Sequence, residues 1–273
     1  ARDVDALAYG APYYAIFWAA GNDRDNNPAA GAQVALSPGG TAVSYNATAH
    51  PPGDGVYRGG YETIGFNALG KNVITVGAVN DAVSGGLRDP SKATMTGFSS
   101  WGPADDGRIK PDIVANGSGL YSTYTGGDTL YATLSGTSMA TPNAAGTAQQ
   151  LVSYHAALFS GQYLRAATLK GLLIHTADDL GTPGPDYANG WGLVNARAAA
   201  DLLAEAATNA AAPRLAEQTL TTSVPLQSHP FYWDGITPIR VTLSWTDPAG
   251  AATTTHDLRT PRLVNNLNLK VVG

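Results

Sequence analysis

The chain of 273 residues has ample apolar content for one large core, and its composition excludes several classes of protein. The net charge of −5 combines 16 Lys and Arg with 21 Asp and Glu without a basic cluster, which argues against nucleic-acid or anionic-membrane partners. Because the sequence has no cysteine, neither a disulfide framework nor a thiolate metal site is possible.

The first predicted elements are the last turns of a helix, over residues 2–9, and a buried strand. Residues 13–20 (YYAIFWAA) are a continuous apolar run, typical of a parallel-sheet strand buried on both faces and too short to cross a membrane. Ligand-binding residues in such sheets follow the carboxyl ends of strands, so Asn22 is well placed to donate a side-chain N–H into a cleft. An ordinary turn asparagine is the alternative interpretation.

A long segment, residues 23–70, is rich in Gly, Pro and Asn and separates this strand from the next. Within this insertion, the runs at 34–36 and 41–45 predict a small β-hairpin, which is either a substrate-shaping flap or a passive surface feature. Oxygen-bearing side chains with the density of a calcium loop occur at its start: Asp23, Asp25, Asn26 and Asn27. They match no complete motif, and a solvated turn is the simpler interpretation.

Strands alternate with helices up to about residue 208, which predicts an α/β fold with a mostly parallel sheet. Further strands are predicted at 72–79 and 111–115, and a hairpin-like strand at 130–134. The predicted helices lie near 138–158, 166–177 and 193–207.

The segment LSGTSMATP, residues 134–142, places Ser138 between a glycine turn and the first turn of a helix. Gly136 permits the turn, and Pro142 predicts a helix start near Ser138 or Met139. The hydroxyl would lie at the positive end of the helix, beside free N–H groups that favour an oxyanion. Serine is also a preferred helix cap, and the local pattern leaves both roles open.

Five motifs follow one another along the chain: AAGN at 19–22, KNVITVGA at 71–78, FSSWGP at 98–103, GRIKPDIVA at 107–115 and GTSMATP at 136–142. In this order they closely resemble the subtilisin-like serine proteases, the subtilases. The resemblance continues through GWGLVN at 190–195 and covers most of residues 1–205.

The resemblance implies a subtilisin-like fold and a secreted endopeptidase that cleaves peptide bonds through an acyl-enzyme and needs no cofactor for its chemistry. It implies Ser138 as the nucleophile and Asn22 as the side-chain donor of the oxyanion hole, with the Ser138 N–H as its companion. Substrate-binding roles are implied for Ala20, Gly21, Gly136 and Thr137.

The Asp and His of the subtilase triad are missing from their usual motifs, since neither Asp-Thr-Gly nor His-Gly-Thr occurs in the sequence. His155 falls on the predicted Ser138 helix, roughly 25 Å further along it. His175 falls on another predicted helix, and His50 in the insertion is the histidine whose position stays open. We therefore expect a fragment of a subtilase that lacks the N-terminal part and has almost no peptidase activity by itself.

A sheet without its N-terminal strands has an exposed edge, so the isolated chain is expected to self-associate or to bind a complementary N-terminal fragment. Two other functions stay open. One is an esterase-like hydrolase that uses Ser138 with a base foreign to the family. The other is a non-catalytic binding or assembly module.

The sequence changes character over residues 209–273. Residues 239–246 alternate apolar and polar side chains as a half-buried antiparallel strand does, and 263–269 begin a second strand. LSWTD and LVNN resemble the β-sandwich (jelly-roll) domain that follows the protease in some large bacterial subtilases and in the kexin-like branch. We predict the start of such a domain here, after a catalytic portion at 1–208. Structural calcium is possible at Asp247, Asn265 and Asn268, although turn roles are the simpler interpretation.

Overall fold

A computed structural model describes residues 1–24, 31–35, 41–46, 60–209, 214–253 and 258–272. His50 and three residues of the predicted calcium loop, Asp25, Asn26 and Asn27, lie outside the described residues.

In chain order the described strands are β1 (Phe17–Ala19), β2 (Gln33–Ala35), β3 (Ala42–Ser44), β4 (Ile74–Val79), β5 (Val83–Ser84), β6 (Leu87–Arg88), β7 (Ile113–Asn116), β8 (Leu120–Thr123) and β9 (Tyr131–Leu134). The described α-helices are α1 (Arg2–Gly10), α2 (Thr137–Leu158), α3 (Ala166–Thr176) and α4 (Ala196–Thr208). Short 3₁₀ helices cover Phe66–Leu69 and Pro90–Lys92.

The core sheet consists of three parallel strands in the order β1, β4, β7. Trp18 pairs with Thr75 across the first ladder, and Ala78 with Ala115 across the second. Every residue of the central strand β4 is buried, which explains why its sequence is continuously apolar instead of alternating. The predicted parallel strands and the mixed α/β class are therefore confirmed, although β1 is shorter than the apolar run that predicted it.

Helix α2 crosses this sheet on a row of small side chains. Ala140, Ala144 and Ala148 are almost fully buried at four-residue spacing, so the helix axis lies close to β4 and β7. The helix begins at Thr137, so Pro142 lies in its second turn and not in the first as predicted. The proline has no N–H to offer the carbonyl four residues earlier, that of Ser138.

Short antiparallel hairpins occur in addition to the parallel core sheet. The β2–β3 pair, with Val34 opposite Val43, confirms the hairpin predicted within the 23–70 insertion. The β8–β9 pair places Leu120 opposite Leu134 and leads directly into α2.

The C-terminal residues do not form the predicted β-sandwich strands. Within 214–253 and 258–272 the structure contains no strand, only an isolated bridge between Thr221 and Val224. Residues 239–246 and 263–269 have no partner strand among the described residues, and an isolated alternating segment is not stable as a strand without one. The jelly-roll domain therefore stays a prediction.

A buried ionic cluster, formed by Lys110, Asp112 and Lys170, ties the start of β7 to α3 and to the residues before β4. Both ammonium groups lie 2.7 Å from the Asp112 carboxylate. Asp112 also accepts the Thr75 N–H at 2.7 Å, and Lys110 donates to the Thr75 hydroxyl at 2.8 Å. Burial lowers the pKa of Lys110 to about 7, and repulsion from Lys170 adds to the effect.

Burial opposes ionisation of Asp112 as well, but the two lysines outweigh it and lower the pKa of its carboxyl group. Two cations thus depend on one anion. Loss of the Asp112 carboxylate would therefore leave buried positive charge without a counter-charge.

We predict that Asp112→Asn lowers the free energy of unfolding by about 3–5 kcal/mol, because it leaves the buried Lys110 and the largely buried Lys170 without a counter-charge. Lys110→Met should cost clearly less, since Asp112 keeps its pairing with Lys170. Urea unfolding at about pH 6, below the pKa of Lys110 so that its ammonium is charged, measures both. An equal loss in the two variants would contradict this account of the cluster.

Candidate active site

The turn after β1 holds Asn22 at the carboxyl end of the sheet. The β1–β4 ladder ends with the Ala20 N–H donating to the Val76 carbonyl at 3.0 Å. Gly21 has φ +113°, and a Cβ at this position would lie 2.8 Å from the Ser100 Oγ. Glycine is therefore required here both for its backbone conformation and for the space it leaves.

Ser100 fixes this turn on both sides of Asn22. Its N–H donates to the Gly21 carbonyl at 2.9 Å, and its Oγ accepts the Asp23 N–H at 3.1 Å. Ser100 is fully buried. Ser100 belongs to the FSSWGP motif, but only the fold shows that it supports the Asn22 turn.

The Asn22 side chain lies against the first residue of α2. Its Oδ1 accepts hydrogen bonds from the Thr137 N–H and from the Thr137 hydroxyl, both at 2.9 Å. The Gly21 N–H donates to the same hydroxyl at 3.3 Å. Because two donors occupy Oδ1, the carboxamide orientation is set, and no described residue accepts a hydrogen bond from the Asn22 Nδ2.

Ser138 follows Thr137 directly and is exposed in the first turn of α2. Its hydroxyl makes no hydrogen bond to any described residue. Asn22 and Ser138 are far apart in the chain, but Asn22 contacts Thr137, the residue directly before Ser138. Both therefore lie at the amino-terminal, positive end of α2. An exposed hydroxyl and an oriented carboxamide N–H therefore share one edge of the sheet.

The approach of α2 to the sheet requires two glycines. The Gly136 N–H donates to the Gly117 carbonyl at 2.8 Å, and Gly136 has φ +154°. A Cβ at Gly117 would lie 2.6 Å from the Ala78 Cβ and 2.8 Å from the Gly136 carbonyl oxygen. Gly117 was not among the predicted site residues, although a glycine two positions after the strand predicted at 111–115 was the available signal.

Two of the four predicted substrate-binding residues have buried side chains. Ala20 packs with Ile64 and Ala68, and Thr137 is fully buried with its hydroxyl directed at Asn22. The Thr137 side chain therefore orients Asn22 and does not face a cleft. Gly21 and Gly136 act here through their backbone conformations.

The described histidines lie in other surroundings. His155 is buried on α2, where its Nδ1 lies 2.9 Å from the Gln162 carbonyl oxygen and its ring stacks on Phe159. The His175 Nδ1 lies 2.9 Å from the Thr242 hydroxyl, and burial, with a contribution from Arg240, lowers its pKa. No described histidine hydrogen-bonds to Ser138.

No group of three or more His, Asp or Glu side chains is arranged to hold a metal ion among the described residues. No described helix has the length and apolar character needed to cross a membrane.

Comparison with known proteins identifies the family of this chain. A model of the subtilase family matches residues 4–192, which include the Asn22 turn and the first turns of α2. The chain belongs to the subtilase family. The recognition that rested on five ordered motifs is confirmed.

This subtilase chain is similar to several proteases over part of their length. It is 34% identical to subtilisin DY of Bacillus licheniformis over 142 residues, which are 52% of this chain and 42% of that protein. It is 42% identical to pyrolysin of Pyrococcus furiosus over 107 residues, 36% of this chain and 7% of pyrolysin. The chain spans less than half the length of these relatives.

Among solved structures, the CspB protease of Clostridium perfringens has a TM-score of 0.45 at 28% identity, over 53% of this chain and 29% of that one. The patellamide maturation protease PatA has a TM-score of 0.42 at 26% identity, over 53% and 48% of the two chains.

We predict that Gly117→Ala destabilises this subtilase chain by about 1–3 kcal/mol, because the new methyl group overlaps Ala78 and the Gly136 carbonyl. Gly146→Ala is the matched control on α2, where a Cβ meets no atom within 4 Å. The control should be neutral or stabilising by up to about 1 kcal/mol. Urea unfolding of both variants tests the requirement, and equal stability of the two would contradict it.

Proposed function

We propose that this chain carries the nucleophile and the oxyanion-binding half of a secreted serine endopeptidase, which cleaves peptide bonds through an acyl-enzyme on Ser138. The observation that carries the proposal is the pair of hydrogen bonds from Thr137 to the Asn22 Oδ1. These bonds hold the Asn22 carboxamide in one orientation, next to the exposed Ser138 that follows Thr137. The chain belongs to the subtilase family.

In the proposed reaction the Ser138 Oγ attacks the carbonyl carbon of the scissile peptide bond. The negative charge that develops on the carbonyl oxygen is stabilised by the Asn22 Nδ2 and by the Ser138 N–H, which the helix start leaves free of an intrahelical acceptor. Thr137 contributes by keeping the Asn22 oxygen turned toward α2, so that the amide nitrogen is the group available to the substrate.

The proton of Ser138 needs an acceptor, and no described histidine is in contact with it. We assign this role to a histidine on a segment outside this sequence, oriented by an aspartate in the manner of the subtilase triad. Without that base the serine hydroxyl is a weak nucleophile. The chain by itself therefore has little peptidase activity.

The free side of β1 supports the proposal that a complementary N-terminal segment binds here. Among the described strands β1 pairs with β4 alone, so its other edge offers unpaired backbone groups. Tyr13 and Tyr14 before the strand are more than half exposed. A cavity of about 450 Å³ lies between these tyrosines, Phe17 and α2. The alternative is that a second copy of this chain binds at the same edge of β1.

Export and the C-terminal region belong to the same proposal. An extracellular enzyme is consistent with a family whose members include the Bacillus subtilisins.

We assign residues 209–273 to the start of a β-sandwich domain, on the basis of the LSWTD and LVNN segments. Any structural calcium would belong to the loop after Asn22, because the Asp247 carboxylate already accepts hydrogen bonds from Lys71, Val264 and Asn265.

We predict slow, Ser138-dependent labelling of the isolated chain by a fluorophosphonate probe, because no described histidine is in contact with the hydroxyl to activate it. Adding a subtilase N-terminal segment that carries the Asp and His should raise the labelling rate by orders of magnitude. Ser138→Ala is the control for site specificity. Rapid labelling of the chain alone would favour the esterase-like alternative. Persistent inertness with the segment bound would favour the assembly module.

We predict that Asn22→Ala in the reconstituted enzyme lowers kcat for a peptide substrate by about 10²–10³, with KM nearly unchanged, because one oxyanion donor is lost. Asn143→Ala, at an exposed position of α2, is the matched control and should leave kcat unchanged. A similar kcat in both variants would remove Asn22 from the proposed mechanism.

A further inference from the structure

The C-terminal segment, described over residues 240–253 and 258–265, lies against the protease core even though it forms no strand there. The Arg240 side chain donates to the His175 carbonyl on α3 at 3.2 Å, and Thr242 contacts the His175 ring nitrogen. Ser244 packs so closely on α3 that a Cβ at Gly171 would lie 3.0 Å from the Ser244 Cβ. The segment therefore follows one face of the core.

An oxygen cage on this segment encloses the ammonium group of a core residue, Lys71. The Lys71 Nζ hydrogen-bonds to the Asp247 carboxylate, to the Pro248 carbonyl at 2.6 Å and to the Arg262 carbonyl at 2.9 Å. The Lys71 and Asp247 side chains are only 5% and 2% exposed. All three N–H donors of the ammonium are thus used, and all three acceptors belong to the C-terminal segment.

The cage is itself held together by the backbone. The Val264 N–H donates to the Asp247 Oδ2 and the Asn265 N–H to the Asp247 Oδ1, both at 2.8 Å. Burial opposes ionisation of Asp247, but the hydrogen bonds from Lys71, Val264 and Asn265 outweigh it and lower the pKa of the carboxyl group. The carboxylate is therefore held as an anion, and both of its oxygens accept hydrogen bonds from protein donors.

Asn72 adds a second connection beside the cage. Its Nδ2 donates to the Asp247 carbonyl at 2.8 Å, and its Oδ1 accepts the Asp247 N–H at 2.9 Å. On the core side, the Asn72 N–H donates to the Asp5 carboxylate of α1 at 2.8 Å. Lys170 of the ionic cluster donates to the Lys71 carbonyl at 3.1 Å. Residues 71–72 thus join α1, the ionic cluster and the C-terminal segment.

We propose that the core surface at Lys71 and Asn72 is the docking site for residues 240–253 and 258–265 of the same chain, and that the Lys71 ammonium acts as an internal cation in their oxygen cage. One carboxylate and two carbonyl oxygens carry a single negative charge, which matches a monovalent cation with N–H donors. Docking holds the residues that lead into the central strand β4. This part of the proposed β-sandwich domain therefore braces the protease core.

The test compares Lys71→Ala with Lys92→Ala, a control at an exposed lysine, in the full chain. Lys71→Ala empties the cage and leaves Asp247 without its counter-charge, so the melting temperature should fall by about 10 °C. Propylammonium replaces the deleted atoms and should restore much of this loss. Tetramethylammonium has the charge but no N–H donor and should not. A Tm equal to that of the control, or a loss that propylammonium leaves unchanged, would overturn the proposal.

Hydrogen exchange on the unsubstituted chain keeps the proposal testable if Lys71→Ala does not fold. The Val264 and Asn265 amides should exchange slowly, with protection close to that of β4, because they are bonded within the docked cage. Exchange at the rate of an unprotected loop would show that the segment is not docked and would also overturn the proposal. Neither measurement depends on catalytic activity, so failure of the proposed protease function would leave both outcomes readable.

Discussion

The candidate site depends on how closely α2 approaches the sheet. The two hydrogen bonds between Thr137 and Asn22 require the first residue of the helix to reach the turn after β1. This is possible because the helix contacts the strands through alanines and because Gly117 leaves no side chain between β7 and Gly136. A larger residue at this junction would overlap Ala78 and the Gly136 carbonyl, so the position of Ser138 relative to Asn22 depends on this glycine.

Much of this arrangement could be predicted from the sequence because its signals are local. A continuous apolar run identifies a parallel strand buried on both faces, and the strand-end rule then places Asn22 at the carboxyl edge of the sheet. The turn before Ser138 was predicted by the same kind of reasoning. Which way a small side chain points is not local information, so the inward orientation of Thr137 and Ala20 was not predicted. Pro142 entered the second turn because tertiary packing of α2 overrides its preference for the first.

The charged interior could not be predicted at all. Lysines are almost always exposed, and the motifs that contain Lys71 and Lys110 do not by themselves indicate that these two side chains are buried. Their burial follows from pairing with Asp112 and with Asp247, and these pairings exist only once separate parts of the fold have met. The same limit explains the C-terminal region. Its alternating pattern predicts strands, but a strand forms only when a partner strand is available, and the described residues supply none.

Two separate sets of contacts hold the amino end and the carboxyl end of the central strand β4. At the amino end of β4, Lys71, Asn72 and the ionic cluster hold the strand to α1, α3 and the C-terminal segment. At the carboxyl end, Gly117 and the Asn22 turn set the position of Ser138. Six residues of strand separate the ends by about 20 Å. Because a parallel strand in a packed sheet is stiff, loss of the brace should act on how much of the chain is folded and not on the local geometry of the serine. Changes at the carboxyl end should act on the local geometry of the serine, and at Gly117 on stability as well, because a side chain there overlaps Ala78 and the Gly136 carbonyl. The brace at the amino end therefore affects stability alone, whereas the junction at the carboxyl end affects both.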